Sequence, residues 1–270
     1  MLHADAYGRV PAQPIEPGPA ETGPNPCPGL EVVQAGWDML LHPSGALWLP
    51  ALKLWLVADV HLGKAVSFRQ LGVPVPEATT AATLNRLSGL MAQRETRGIV
   101  FLGDFLHSVR SHASGTLSEI LRWRQRHPEV DLTLVRGNHD DKAGDPPAAL
   151  GIRAVDEPLR IKGDGQPLAL CHYPQPVPGA HVLAGHWHPC VVLSGRADRL
   201  RLPCFWFRAA LTAPLAKYDG ESGEVETAGG VGVLPAFGDF TGMHAIARQS
   251  GDRVFAIAGD TIREVPAARL

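Results

Sequence analysis

Apolar residues in this chain come in short runs, and the runs stop at the same kinds of residue. Residues 52–58, 99–102, 132–135, 168–171 and 181–184 are mostly Val, Leu, Ile, Trp, Phe and Ala. Runs of this length without strict alternation predict strands buried on both faces. Just past them stand Asp59-Val60-His61, Gly103-Asp104, Gly137-Asn138-His139-Asp140, His172 and Gly185-His186-Trp187-His188. Residues 77–93, which follow Pro76, and residues 114–127 space their apolar positions as helices do. Residues 39–41 and 46–49 flank His42-Pro43-Ser44-Gly45 and predict a hairpin. Residues 204–207, 232–234 and 254–257 predict further strands, with no helix between them. The first half therefore reads as α/β and the last third as mostly β.

Residues 1–29 hold seven Pro and four Gly with few aliphatic side chains. Such a segment buries too little surface to offset its ordering entropy, which predicts a disordered extension before a single domain over 30–270. Glycines and short polar residues between 220 and 230 mark an exposed turn.

Composition narrows the class. With 270 residues, 45% of them apolar, the chain can bury a sizeable core. Its formal charge of −2 gives no overall attraction to nucleic acid, so any such contact needs a local basic patch. Cys27, Cys171, Cys190 and Cys204 form no C-x-x-C pair, which disfavours a structural zinc site and fits a reducing cytosol. No apolar stretch reaches the ~18 residues of a membrane span, and no signal segment is evident. A soluble cytoplasmic protein without a membrane partner is expected.

The residues after the strands change the picture. Asp, Asn and His are ligands for divalent cations, and loops at the carboxyl ends of strands converge to build sites. Two neighbouring cations need a shared anion, and Asp104, following a strand and a glycine, is the expected bridge. Asp59, His61 and His188 would complete one shell, and Asn138, His172 and His186 the other. In an extended segment, residues i and i+2 face the same side, so His186 and His188 could address adjacent ions. Two ions ~3.5–4 Å apart clamp a phosphoryl group and activate water for in-line attack. His139 adjoins a ligand without being one and is the expected general acid, with Asp140 orienting it. His107, three residues after Asp104, is a further candidate for contact with the phosphate or the leaving group.

This ordered set resembles the calcineurin-like metallophosphoesterase superfamily over roughly residues 50–190. The resemblance implies a two-sheet β-sandwich flanked by helices, classed α/β (α+β), around a dinuclear centre of Mn²⁺, with Fe or Zn as alternatives. A narrower resemblance lies in Ala46-Leu47-Trp48-Leu49-Pro50, Asp59-Val60-His61-Leu62-Gly63-Lys64, Gly72-Val73-Pro74-Val75-Pro76 and Gly103-Asp104-Phe105-Leu106-His107-Ser108. These are similar to the bacterial ligase-associated DNA damage response endonucleases. That subfamily implies manganese-dependent cleavage of DNA phosphodiesters, preferentially in single strands, beside a ligase, a helicase and an exonuclease of a repair cluster.

Around this core, Lys64, Arg69, Arg110 and Arg136 are candidates for phosphate contacts. Arg122, Arg124 and Arg126 more simply form a solvated helix face. Trp123 and Trp187 could stack bases, but packing is the plainer role. Cys171 and Cys190 are expected as buried thiols. Two other functions compete: a phosphatase or cyclic-nucleotide phosphodiesterase on the same scaffold, and a non-catalytic scaffold. The intact His139 and ligand set argue against the last.

Overall fold

A computed structural model describes residues 27–70, 72–73, 75, 79–163, 165–194, 199–209 and 229–266, with the side chain of Gln70 excepted. Residues 1–26, the 220–228 part of the expected turn, and Pro74 and Pro76 lie outside the described residues. Cys27, assigned to the extension on composition, packs against the core, and its Sγ lies 3.0 Å from Gln93 Oε1.

Seven strands form one sheet: β1 (Leu30–Gln34), β2 (Trp37–Leu41), β3 (Leu47–Leu49), β4 (Leu54–Ala58), β5 (Gly98–Leu102), β6 (Asp131–Val135) and β7 (Ile152–Val155). They lie in chain order, antiparallel from β1 to β4 and parallel from β4 to β7. Among the described residues four α-helices form: α1 (Lys64–Gln70), α2 (Thr79–Gln93), α3 (Ser114–Arg126) and α4 (Asn138–Ala143). The second sheet has nine strands: β8 (Leu159–Ile161), β9 (Leu168–Leu170), β10 (His181–Ala184), β11 (Pro189–Ser194), β12 (Arg199–Arg208), β13 (Val231–Val233), β14 (His244–Ala245), β15 (Arg253–Ala258) and β16 (Thr261–Glu264). Its order is β14-β11-β12-β13-β10-β9-β8, with β15 and β16 paired on from β12. No described helix is long and apolar enough to cross a membrane.

The unalternated strands are explained by what covers them. Trp55, Val57, Ile99 and Phe101 face the helices, where they meet Leu84, Leu87, Leu90, Ile120 and Trp123. Leu56, Ala58, Val100 and Leu102 face the second sheet and meet Leu170, Leu183, Phe205, Phe207 and Phe255. Successive strand residues point to opposite faces, so a sheet covered on both sides must be apolar at every position.

Several boundaries differ from the pattern reading. The strand expected over 52–58 starts at Leu54, because Pro50–Leu52 form a 3₁₀ turn that ends on left-handed Lys53. The hairpin β1–β2 turns on Ala35 and Gly36, both at positive φ, a turn signal that the apolar count passed over. α1 and α4 are too short to show a period. Arg124 donates to the carbonyls of His127 and Val130 and so caps the end of α3. Trp123 is buried and donates to Ser88 Oγ, and Trp187 is half-buried near Trp206, so neither offers a free face.

Candidate metal centre

The carboxyl ends of strands β4, β5, β6, β9 and β10 converge, and each delivers one of the expected motifs. Their turns are tight. Of eight non-glycine residues with positive φ among the described residues, five are Asp59, His61, Asp104, His186 and His188. Each left-handed non-glycine residue costs on the order of 1 kcal/mol, and such positions gather where function over-determines the backbone. Two glycines make room for these side chains. A Cβ on Gly103 would collide with the His172 ring, and one on Gly137 would lie 2.5 Å from Asp104 Oδ1.

Asp104 sits between two groups of donors. Its Oδ2 is 3.7 Å from His61 Nε2, and its Oδ1 is 3.5 Å from His172 Nε2. The His139 backbone N–H donates to that Oδ1 at 3.0 Å. Asp59 is wholly buried; its Oδ2 accepts the His186 backbone N–H at 2.9 Å, while its Oδ1 lies 3.5 Å from His188 Nε2. On the other side, His172 Nε2 lies 3.0 Å from both Asn138 Oδ1 and His186 Nδ1.

The donor set is short of protons, which tests its fit to cations. A backbone carbonyl only accepts, so His172 must donate Nδ1–H to Leu102 and His188 must donate Nδ1–H to Gly242. Both imidazoles then turn Nε2 inward, His172 towards the amide oxygen of Asn138 and His188 towards the Asp59 carboxylate. Asp59 Oδ1 and His61 Nδ1 are buried without a hydrogen-bond partner. Lone pairs converging without protons are what a metal site presents, and carbonyl-held Nδ1–H groups are the usual orienting shell. Asp59, His61 and His188, and separately Asp59, Asp104 and His172, bring ligand atoms within 4.8 Å of one another.

Electrostatics agree. Burial, helped by the Lys64 cation, pushes the His61 pKa far down and that of His107 down to about 4. Burial also lowers His186. These rings stay neutral at neutral pH, the form that ligates. Burial lowers His188 as well, but the Asp59 carboxylate outweighs it and lifts the pKa above its ordinary value. Lys64, half-buried at the start of α1, is lowered by burial against the pull of Asp104 and Asp59.

Three expectations need correction. His186 and His188 are not extended: φ values of 68° and 43° and a Trp187 N–H to Gly185 carbonyl bond bend the segment where β10 reverses into β11. Asp140 does not touch the His139 ring. Its carboxylate accepts from the backbone N–H groups of Phe105, Leu106 and Gly137, and so ties the Asp104 loop to α4. Burial raises its pKa to about 6, with the Asp104 charge adding. The His139 ring is oriented instead by its Nδ1–H, donated to the His107 carbonyl at 2.6 Å. Arg136 is the third correction: it holds Asp145 through two bonds of 2.7 and 2.8 Å and Asp156 at 2.7 Å, which neutralises its charge. Of the other cations, Lys64 is beside the centre, Arg69 lies in the last turn of α1 and Arg110 is exposed on the 3₁₀ turn Val109–His112. The His107 ring stacks on His139 at 5.0 Å and meets His61 edge-on at 5.3 Å.

The pattern reading missed Glu157, whose carboxylate accepts the backbone N–H groups of His172 at 2.7 Å and Tyr173 at 3.0 Å. It lies 15 residues before His172 with no motif around it, and only the fold joins them. The segment after β13 was missed for the same reason: Gly242 orients His188, and Gly238 N–H donates to the Asp59 carbonyl.

Among known proteins, the chain is similar to the crystal structure of Pseudomonas putida nuclease MPE. They share 38% identity over 85% of this chain and 96% of that one, with a TM-score of 0.68. YfcE, a phosphoesterase from E. coli, matches at 14% identity over 78% and 97% of the two chains, with a TM-score of 0.37. No family model and no curated protein matches.

Proposed function

Because the chain belongs to the calcineurin-like metallophosphoesterase family, a family of metal-dependent hydrolases, we propose that it cleaves DNA phosphodiester bonds internally, favouring single strands, with Mn²⁺ as its metal. The observation that carries this reading is the inward convergence of carboxylate and imidazole donors around Asp104 in a chain 38% identical to a nuclease.

In this proposal Asp59, His61 and His188 hold one ion, Asn138, His172 and His186 the other, and Asp104 serves both. Two carboxylates, an amide and four imidazoles suit Mn²⁺ and tolerate Fe or Zn. When bound, such a pair supplies charge neutralisation at the phosphoryl oxygens and an activated water for in-line displacement. The chain's own residues do the rest. The His139 Nδ1–H is committed to the His107 carbonyl, which leaves Nε2, 3.8 Å from Asp104 Oδ2, as the proton-transferring atom facing the substrate. A proton held there is delivered to the departing ester oxygen. The neutral His107 ring stacked on His139 fixes its plane, and Lys64 adds positive charge beside the phosphate position. Arg69 and the exposed Arg110 are the further cations proposed to meet the phosphate backbone. The subfamily resemblance adds the setting, DNA repair beside a ligase, a helicase and an exonuclease, and low cysteine usage adds a cytoplasmic location.

The test is incubation of the purified protein with circular single-stranded DNA, circular duplex DNA and a phosphomonoester, each with Mn²⁺, Mg²⁺ or Zn²⁺. Linearisation of the single-stranded circle with Mn²⁺ is the expected result. Hydrolysis of the monoester alone would replace the nuclease reading with a phosphatase. His139→Ala is expected to lower turnover by roughly 10²–10⁴-fold while elemental analysis still finds about two metal ions per chain. Loss of metal in that variant would make His139 a ligand.

A further inference from the structure

Fifteen of the chain's seventeen aromatic residues are described, and only two of them are exposed: Tyr173 at 39% and Phe240 at 52%. Both border the metal centre, on different sides of it. The Tyr173 ring lies 4.6 Å from that of His186 and 5.0 Å from that of His172. Phe240 lines one cleft with His61 and Lys64, and a second groove of 370 Å³ with His188 and Met243.

Neither ring is a loose surface side chain. The Tyr173 backbone N–H is held by the Glu157 carboxylate that also holds ligand His172. Phe240 stands at φ 57°, an outlier for a bulky residue. Its loop is pinned to the strand that carries Asp59: Phe237 N–H donates to the Ala58 carbonyl and Gly238 N–H to the Asp59 carbonyl. Arg86 clamps the same loop through Asp239 at 2.7 Å and the Phe237 carbonyl at 2.6 Å, and Thr241 Oγ donates to the Gly238 carbonyl. A strained backbone that holds a half-exposed aromatic ring at the rim of the site points to a ligand for that ring.

A phosphodiester at the centre sends two nucleoside arms away from phosphorus. Tyr173 stands on the His172 and His186 side and Phe240 on the His61 and His188 side, so the two rings are placed to meet one arm each. We propose that Tyr173 and Phe240 are stacking platforms for unpaired nucleobases, one on each side of the scissile bond. Bases locked in a duplex cannot offer their faces, so the two rings select single-stranded segments, and they do so without reading sequence. This rests on the nuclease reading above and assigns the residues that would make its strand preference.

The test uses an oligothymidylate with one hydrolysable linkage, the others methylphosphonate, and the same strand made abasic on both sides of that linkage. Tyr173→Ala and Phe240→Ala are each expected to lose roughly 5- to 100-fold in kcat/KM on the base-bearing strand and little on the abasic one. Tyr173→Phe and Phe240→Trp, which keep a ring, are expected to retain the parent's preference and to control for folding. A fully methylphosphonate strand with 2-aminopurine at either flank gives a readout without turnover: stacking quenches its fluorescence on the parent protein and each Ala variant loses the quenching at one flank. Equal losses on both strands, or none, would overturn the platforms while leaving the nuclease intact. A parent protein that cleaves no nucleic acid strand would instead overturn the nuclease reading, and the platforms with it.

Discussion

Asp59 shows at the scale of one residue how function is written into backbone and burial together. It is wholly buried and left-handed at φ 53°, one oxygen holding the His186 N–H and the other without a hydrogen-bond partner. Asparagine tolerates left-handed φ better than most residues and keeps an oxygen for the His186 N–H, but carries no charge. Asp59→Asn is therefore expected to fold with the parent's melting temperature in chelator and to lose the rise that Mn²⁺ produces. Thermal melts with and without the ion check this, and an undiminished rise would remove Asp59 from the ligand set.

At the scale of elements, the strands bring their own chemistry besides the site. β10 ends in the bend that carries His186 and His188, yet its first residue, His181, is also buried, at 2% exposure, with Nε2 unpartnered. Burial alone pushes its pKa down to about 4. In the unfolded chain the ring takes a proton near pH 6.5, so the unfolded state gains the proton first. The stability contributed at neutral pH is complete above about pH 6.5 and is lost as pH falls towards 4, by about 3 kcal/mol in all. His181→Leu is expected to flatten the drop in urea midpoint between pH 7 and pH 5. An unchanged drop would place the acid sensitivity elsewhere.

Over the whole molecule, the proposed ligands come from both sheets: Asp59, His61, Asp104 and Asn138 follow strands of the first, His172, His186 and His188 strands of the second. Bound cations would therefore cross-link the sandwich on top of the apolar contacts between its layers. A ligand that binds only the folded state at about 100 times its Kd adds about 2.7 kcal/mol, worth roughly 5–10 °C for a domain of this size. Mn²⁺ is expected to raise the melting temperature by about that much, and chelator to reverse it. A melting temperature indifferent to both would mean that the donors do not form a site in solution.

How much of this was legible without the fold depends on range. Short apolar runs ending in Asp, His and Gly-Asn-His located the strands and the donors, because burial on two faces and metal chemistry each restrict residue type at a position. The period-poor segments α1 and α4 were illegible, since one or two helical turns carry no pattern. So was the partner of the His139 ring: chain adjacency suggested Asp140, while packing supplied the His107 carbonyl 32 residues away. Arg136 reads as a free cation in the chain and is spent on Asp145 and Asp156 in the fold. Residue order alone determined which chemistry this protein owns, because donor types and strand ends are local properties. Only the tertiary structure decided which lone pairs meet, which charges cancel and that Glu157, Tyr173 and Phe240 lie beside the site, because those depend on distances between residues that the chain keeps far apart.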